Sequence, residues 1–162
     1  MKLAIFSDAH HDIAPMEAAL QELEGIDYVI YAGDGLDKVL ASTIPEKFEL
    51  LAVQGNCDQV ADYPRERTID LGNLRILLVH GKRYRIKWGL DNLYYKAQEE
   101  AADVVIFGHT HCRYAEQQNG ILFFNPGSIS QPRDNKNPSF GLLELNNAQI
   151  NYKHIDCFQD EN

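Results

Sequence analysis

The chain has 162 residues, 44% of them hydrophobic and 24% charged, a globular composition with room for one domain and not for two ordinary ones. Its formal charge of −9 argues against broad, sequence-independent binding to nucleic acid or to an anionic membrane, since both need a basic surface. The longest apolar runs are strand-sized, which excludes a membrane-spanning helix.

The opening run, "MKLAIFSDAHHD", carries one lysine and a short apolar stretch, but carboxylates and histidines follow at once, unlike a signal peptide. "KLAIFSD" reads as a strand, and "APMEAALQELEG" as a helix stopped at Gly25. "YVIYAGD", "ELLAVQGN" and "RILLVHG" are further strand-like runs, each ending at or just before a glycine. "LDNLYYKAQEEA" has the spacing of an amphipathic helix, with Leu90, Leu93, Tyr94 and Ala97 on one side. "DVVIFGHTH" reads as another buried strand. Beyond it the pattern changes to two hairpins, one turning at Asn119-Gly120 and one near Asn146-Asn147. Alternating strands and helices followed by hairpins predict an α/β domain over residues 1–162, with two sheets packed between helices. Cys57, Cys112 and Cys157 are odd in number, with no C-x-x-C pair, which suggests reduced thiols and a cytoplasmic protein.

Five apolar strands end in residues able to hold a metal: Asp8 with His10, Asp34, Asn56, His80, and His109 with His111. The crevice beyond the carboxyl ends of strands is the usual ligand site of an α/β sheet. On an extended segment, residues two apart point the same way, so Asp8 with His10 and His109 with His111 are each expected to form a claw. Every piece alone has an ordinary reading. Asp8 can be a helix cap beside a surface histidine, Asp34 a turn residue, and His80 a hydrogen-bonded core histidine. Four of the six histidines nevertheless stand in the same relative place as two aspartates and an asparagine. Chance would scatter them over helices and loops.

These residues resemble the ordered motif blocks of the calcineurin-like metallophosphoesterases: "DAH" (8–10), "GD" (33–34), "GN" (55–56), "HG" (80–81) and "GHTH" (108–111). "NPGSISQPR" (125–133) resembles the small prokaryotic phosphodiesterases of that superfamily. The resemblance implies a four-layer α/β/β/α sandwich of two mostly mixed sheets flanked by helices. It also implies two divalent ions, Mn²⁺ foremost, with Ni²⁺, Fe²⁺ or Zn²⁺ as alternatives. One ion would be held by Asp8, His10, Asp34 and His111, the other by Asp34, Asn56, His80 and His109, with Asp34 bridging. Imidazole, carboxylate and amide oxygen suit such ions without a thiolate. Two ions roughly 3.5–4 Å apart can clamp a phosphoryl group and generate a hydroxide for in-line attack. With one bridging hydroxide the site would carry a formal charge of about +1, enough to attract a phosphate ester to an acidic chain.

The implied activity is hydrolysis of a small phosphodiester or nucleotide-like substrate, with Asn56 and His109 fixing the phosphoryl oxygens and metals. A phosphomonoesterase of the same fold, or a non-catalytic scaffold like the retromer subunit that shares it, are the alternatives. Homo-oligomerisation is left open. His11 is a candidate proton donor or a solvated histidine. Arg133 is a candidate phosphate contact or a structural salt bridge. Asn125, Pro126 and Gly127 read as a turn, with Ser128 near the site as a candidate substrate contact. His154 reads as a surface residue, and Trp88, Tyr94 and Tyr95 as packing residues. Cys57 stands where many relatives carry a histidine that helps protonate the leaving group. Asp58 beside it should raise the thiol's pKa, the wrong direction for a nucleophile, and no Cys-x5-Arg loop is present.

Overall fold

The computed structural model of the chain describes residues 1–146 and 149–157. The first half alternates as expected: β1 (Lys2–Phe6), α1 (Ala14–Glu22), β2 (Tyr28–Tyr31), two short helices α2 (Leu36–Ala41) and α3 (Ile44–Lys47), then β3 (Leu50–Ala52). β4 (Glu66–Leu71) and β5 (Leu74–Val79) follow, then α4 (Asp91–Glu99) and β6 (Val104–Ile106). The chain ends in two hairpins, β7 (Arg113–Gln118) with β8 (Ile121–Pro126), and β9 (Ser139–Asn146) with β10 (Gln149–Asp156). Asn119 and Gly120 both take positive φ, 48° and 84°, as a tight hairpin turn requires. Of the second turn, Asn147 lies outside the described residues.

Two mixed five-stranded sheets result, ordered β10-β9-β1-β2-β3 and β4-β5-β6-β8-β7. β1, β2 and β3 are mutually parallel in the first sheet, as are β5, β6 and β8 in the second. Alternate residues divide between the layers, as the two-residue period of a strand dictates. Leu3, Ile5 and Ile30 meet Ile76, Leu78, Ile106 and Phe124 between the sheets. Ala4, Phe6, Val29 and Tyr31 face the other way, onto Met16 and Leu20 of α1 and Leu36 and Val39 of α2. Leu77, Val79 and Val105 pack on Leu93 and Ala97 of α4. The architecture is the α/β/β/α sandwich.

Strand β4 and the helices α2 and α3 lack a strong periodic signal. Only Ile69 and Leu71 of β4 are buried, because it is an edge strand whose other residues meet solvent. Among the described residues, no helix is long and apolar enough to cross a membrane.

The two sheets approach closely at Gly141 of β9, where an added methyl would collide with the Phe124 ring of β8. Gly141→Ala is expected to destabilise the fold by about 1–3 kcal/mol through overpacking. Equilibrium unfolding in denaturant measures this; an unchanged midpoint would show that the sheets can part without cost.

Candidate metal centre

The motif residues lie just past the ends of β1, β2, β3, β5 and β6, where both sheets open toward the same edge. Asp8, His10, Asp34, His109 and His111 all have φ between 50° and 67°. That is the left-handed region, costly for residues other than glycine, and five of the nine non-glycine cases among the described residues occur here. The expected extended backbone is therefore corrected, since Asp8, His10, His109 and His111 each sit on a sharp turn. Asp8 and His10 still converge as a claw, but the turns send His109 and His111 to different partners.

Asp8, His10 and His111 place their ligand atoms within 4.8 Å of one another, and so do Asp8, Asp34 and His80. Asp8 is fully buried and Asp34 nearly so. Each aspartate has one oxygen held and one aimed inward. Asp8 Oδ2 accepts from Ser7 Oγ (2.6 Å) and from the His109 N–H (3.0 Å), while Oδ1 faces His111 Nε2 at 3.3 Å. Asp34 Oδ1 accepts from the Cys57 N–H (2.8 Å), while Oδ2 faces His80 Nε2 at 3.3 Å.

The imidazoles are oriented from behind. His80 Nδ1 donates to Ala32 O and His111 Nδ1 donates to Gln131 O, each at 2.7 Å. A carbonyl can only accept, so each Nδ1 carries a proton and each Nε2 is turned toward the aspartates. His10 Nε2 and His111 Nε2 stand 3.1 Å apart. Asp8 Oδ1 and His80 Nε2 are buried without a hydrogen-bond partner. Among the described residues, no lysine or arginine pairs with either aspartate. Buried carboxylate oxygens and imidazole lone pairs converging without a cationic side chain fit divalent metal ions.

Burial alone would raise the Asp34 carboxyl, but His80 and the Cys57 N–H hold it well below the usual carboxylate range. Burial pushes His80 down, yet Asp34 and Asp8 prevail and raise it. His10 is lowered because burial outweighs the two aspartates. His109 is pushed down to about 4, by burial first and then by His80 and Lys87, so it is neutral near pH 7. Its ring packs edge-on against His80, with centroids 5.1 Å apart.

Asn56 is exposed at the rim, and its amide donates to Cys57 Sγ at 3.2 Å. Cys57 is also exposed, and its sulfur lies within 4.8 Å of ligand atoms of His10 and Asp34. Its thiol is raised as expected, but burial and Asp34 are the larger causes and Asp58 the lesser. Asp58 does something the sequence did not reveal. Its buried carboxylate accepts the N–H groups of Asp34 (2.8 Å), Gly35 (2.7 Å), Leu36 (3.0 Å) and Gly55 (2.7 Å), clipping two motif loops together. Gly55 lies so close to Asp34 that any side chain there would collide with that carboxylate. Tyr31, another residue missed, accepts from the Ala9 N–H at 3.1 Å and donates to Asp34 O at 2.7 Å.

Ser128 is fully buried, and its hydroxyl donates to Asp8 O at 2.8 Å. It supports the Asp8 turn rather than facing a substrate. Asn125 is more than a turn residue, since its amide holds Gly108 O at 2.9 Å and Thr110 Oγ1 at 3.1 Å. Arg133 is exposed, with its N–H on His111 O and no carboxylate partner among the described residues. His11 is exposed beside His10. His154 is not a simple surface residue: it stacks on Phe124 at 4.7 Å and bonds Asn125 O. The packing expectation holds for Tyr94, 6.2 Å from the Phe123 ring, but Trp88 is 89% and Tyr95 67% exposed.

Residues 1–148 match the calcineurin-like phosphoesterase superfamily domain. The chain is 34% identical over 157 residues to the probable metallophosphoesterase YsnB of Bacillus subtilis, covering 96% of this chain and 91% of that protein. It is 30% identical over 169 residues to the phosphodiesterase YfcE of Escherichia coli, covering 89% and 88%. A conserved, predicted phosphoesterase of Streptococcus pneumoniae superposes with a TM-score of 0.80 at 28% identity, over 98% of this chain and 93% of that one. A variant of Vps29 from Entamoeba histolytica superposes with a TM-score of 0.78 at 26% identity, over 96% and 99%. The chain belongs to the calcineurin-like phosphoesterase superfamily. Within it, the chain resembles the small prokaryotic metallophosphoesterases.

Asp58 orients Asp34 without reaching the ligand cluster itself. Asp58→Ala is expected to lower stability by roughly 3 kcal/mol, since four buried N–H groups lose their acceptor. It should also weaken metal binding by about 10–100-fold. Unfolding curves and competition against a metal-chelating dye measure the two effects; unaltered metal affinity would show that the clip is dispensable to the site.

Proposed function

We propose that the protein is a metal-dependent phosphodiesterase that adds water across a P–O bond of a small phosphodiester or nucleotide-like substrate, releasing a monoester and an alcohol. The observation that carries this reading is the convergence of Asp8, His10, Asp34, His80 and His111, with partnerless Oδ1 and Nε2 atoms turned inward. The residues that would hold two divalent ions are Asp8, His10, Asp34 and His111 for one, and Asp34, Asn56, His80 and His109 for the other. Such ions, manganese foremost, supply Lewis acidity to the phosphoryl group and lower the pKa of water.

The chain's own groups then divide the remaining work. Neutral His10 and His109 offer lone pairs rather than protons near pH 7. Asn56, exposed at the rim, would bind a phosphoryl oxygen in this reading. The Cys57 thiol, with its pKa raised, stays protonated near pH 7 and serves neither as a thiolate nucleophile nor as a good acid. Identity to YfcE, itself a phosphodiesterase, supports diester over monoester hydrolysis. Residues able to bind a metal at every motif position, five of them converging, favour the enzyme over the scaffold alternative.

Metal-loaded protein is expected to hydrolyse aryl phosphodiesters faster than aryl monoesters. Asp34→Ala and His80→Ala should each reduce kcat/KM by at least roughly 10³-fold. Inactivity across Mn²⁺, Ni²⁺, Fe²⁺ and Zn²⁺, with fewer than two ions bound per chain, would favour the scaffold instead. Replacing the thiol tests the leaving-group role separately. Cys57→His should speed turnover of diesters with poor leaving groups by about tenfold or more, and Cys57→Ala should change it little. Complete loss in Cys57→Ala with metals still bound would overturn this view of the thiol.

A further inference from the structure

The residues after His80 read "GKRYRIKW", with Lys82, Arg83, Arg85 and Lys87 supplying four of the fifteen basic residues of an acidic chain. This segment is held in two tight turns. Tyr84 N–H donates to Gly81 O (3.0 Å), Arg85 N–H to Lys82 O (3.0 Å) and Trp88 N–H to Arg85 O (2.9 Å), with Ile86 buried beneath them. Lys82 and Arg83 are exposed on its first turn. Across from them Arg65 extends from the loop after Asn56, its guanidinium 3.4 Å from Gly55 O.

Between these two segments lies a cleft of about 240 Å³, whose lining includes Asn56, Arg65, His80, Lys82, Arg83 and Tyr84. Glu66 is the one carboxylate paired there among the described residues. It takes Arg83 at 3.7 Å and the Tyr84 hydroxyl at 2.6 Å, and also lies 3.7 Å from Lys96. Lys82 and Arg65 have no carboxylate partner among the described residues, so the cleft keeps a net positive lining. Asn56 and His80 line the cleft, which sets it directly beside the metal centre.

The cleft is smaller than the roughly 300–1,000 Å³ of sites that enclose drug-sized ligands, and three cationic side chains, Arg65, Lys82 and Arg83, reach its wall. An anionic group is what those side chains would hold. We propose that this cleft is a subsite for a second phosphate of the substrate, carried on the ester arm that lies past Asn56 and His80, with Lys82, Arg83 and Arg65 as its cationic wall. This rests on the phosphodiesterase reading and narrows its substrates to diesters that bear a further phosphate. It also explains how a chain of charge −9 would favour a polyanion over a neutral ester.

The test uses two stable probes that differ by one anionic group, propane-1,3-bisphosphonate and propylphosphonate, titrated calorimetrically into metal-loaded protein. The bisphosphonate is expected to bind at least about tenfold more tightly, and the preference should weaken as salt rises. Lys82→Ala with Arg83→Ala should remove that preference at unchanged metal content. Lys82→Gln alone, at an exposed position with no structural bond, should reduce it in a protein certain to share the parent's Glu66 contacts. Equal binding of both probes to the parent protein, or a preference that survives these substitutions, overturns the subsite. A preference that behaves as expected in a protein that hydrolyses no diester leaves the subsite standing and removes the phosphodiesterase reading instead.

Discussion

Two buried carboxylates, Asp8 and Asp34, meet a group of imidazoles at one point, with no lysine or arginine paired to either among the described residues. Burying such charge is costly unless hydrogen bonds and counter-charge answer it. Much of the local structure follows from that requirement. Each carboxylate has one oxygen fixed by neighbouring donors, which leaves the other free to face an imidazole Nε2. Each of His80 and His111 is fixed in turn through Nδ1 on a backbone carbonyl. The left-handed turns at five of the motif residues are the conformational cost of bringing these atoms together.

The sandwich supplies the rigidity to hold that cost. β1, β2 and β3 deliver Asp8, Asp34 and Asn56, whereas β5 and β6 deliver His80, His109 and His111. The site therefore straddles the seam between the sheets, and its bonds cross that seam. His80 reaches Ala32, and the His109 N–H reaches Asp8. The apolar layer of Ile5, Ile30, Leu78, Ile106 and Phe124 sets the register of both halves. A small movement between the sheets would separate ligands that must lie within a few ångströms. Outside this buried centre the charge pattern reverses locally, with a fixed basic segment at the rim of an acidic molecule.

Most strands and the two main helices were legible because their apolar periods are strong. β4 was not, because an edge strand with Glu66, Arg67 and Asp70 has too little apolar alternation to be distinguished from a loop. The motif residues were legible as a set, since several metal-binding residue types recur at strand ends. The roles of Asp58, Tyr31 and Ser128 were not. Each acts by bonding backbone or side-chain atoms brought near only by folding, and nothing in a neighbouring residue announces that contact. Trp88 and Tyr95 show the converse: aromatic residues suggest packing, but both project from the surface where no partner layer covers them.

The sequence by itself determined the alternation of strands and helices ending in hairpins, and the residue types able to bind a metal. Local propensity and the two-residue period of strands carry that information along the chain. The tertiary structure decided which of those residues share a point in space. His109 and His111 are two positions apart, yet one joins His80 and the other joins Asp8 and His10, because left-handed turns rather than extended backbone aim their rings. It also decided the place of "GNCD". Asp58 clips the loops of Asp34 and Gly55 together beneath the surface, while Asn56 and Cys57 stand at the rim. The contact of Asp58 with Asp34 joins residues 24 positions apart, and only the close approach of β2 and β3 creates it.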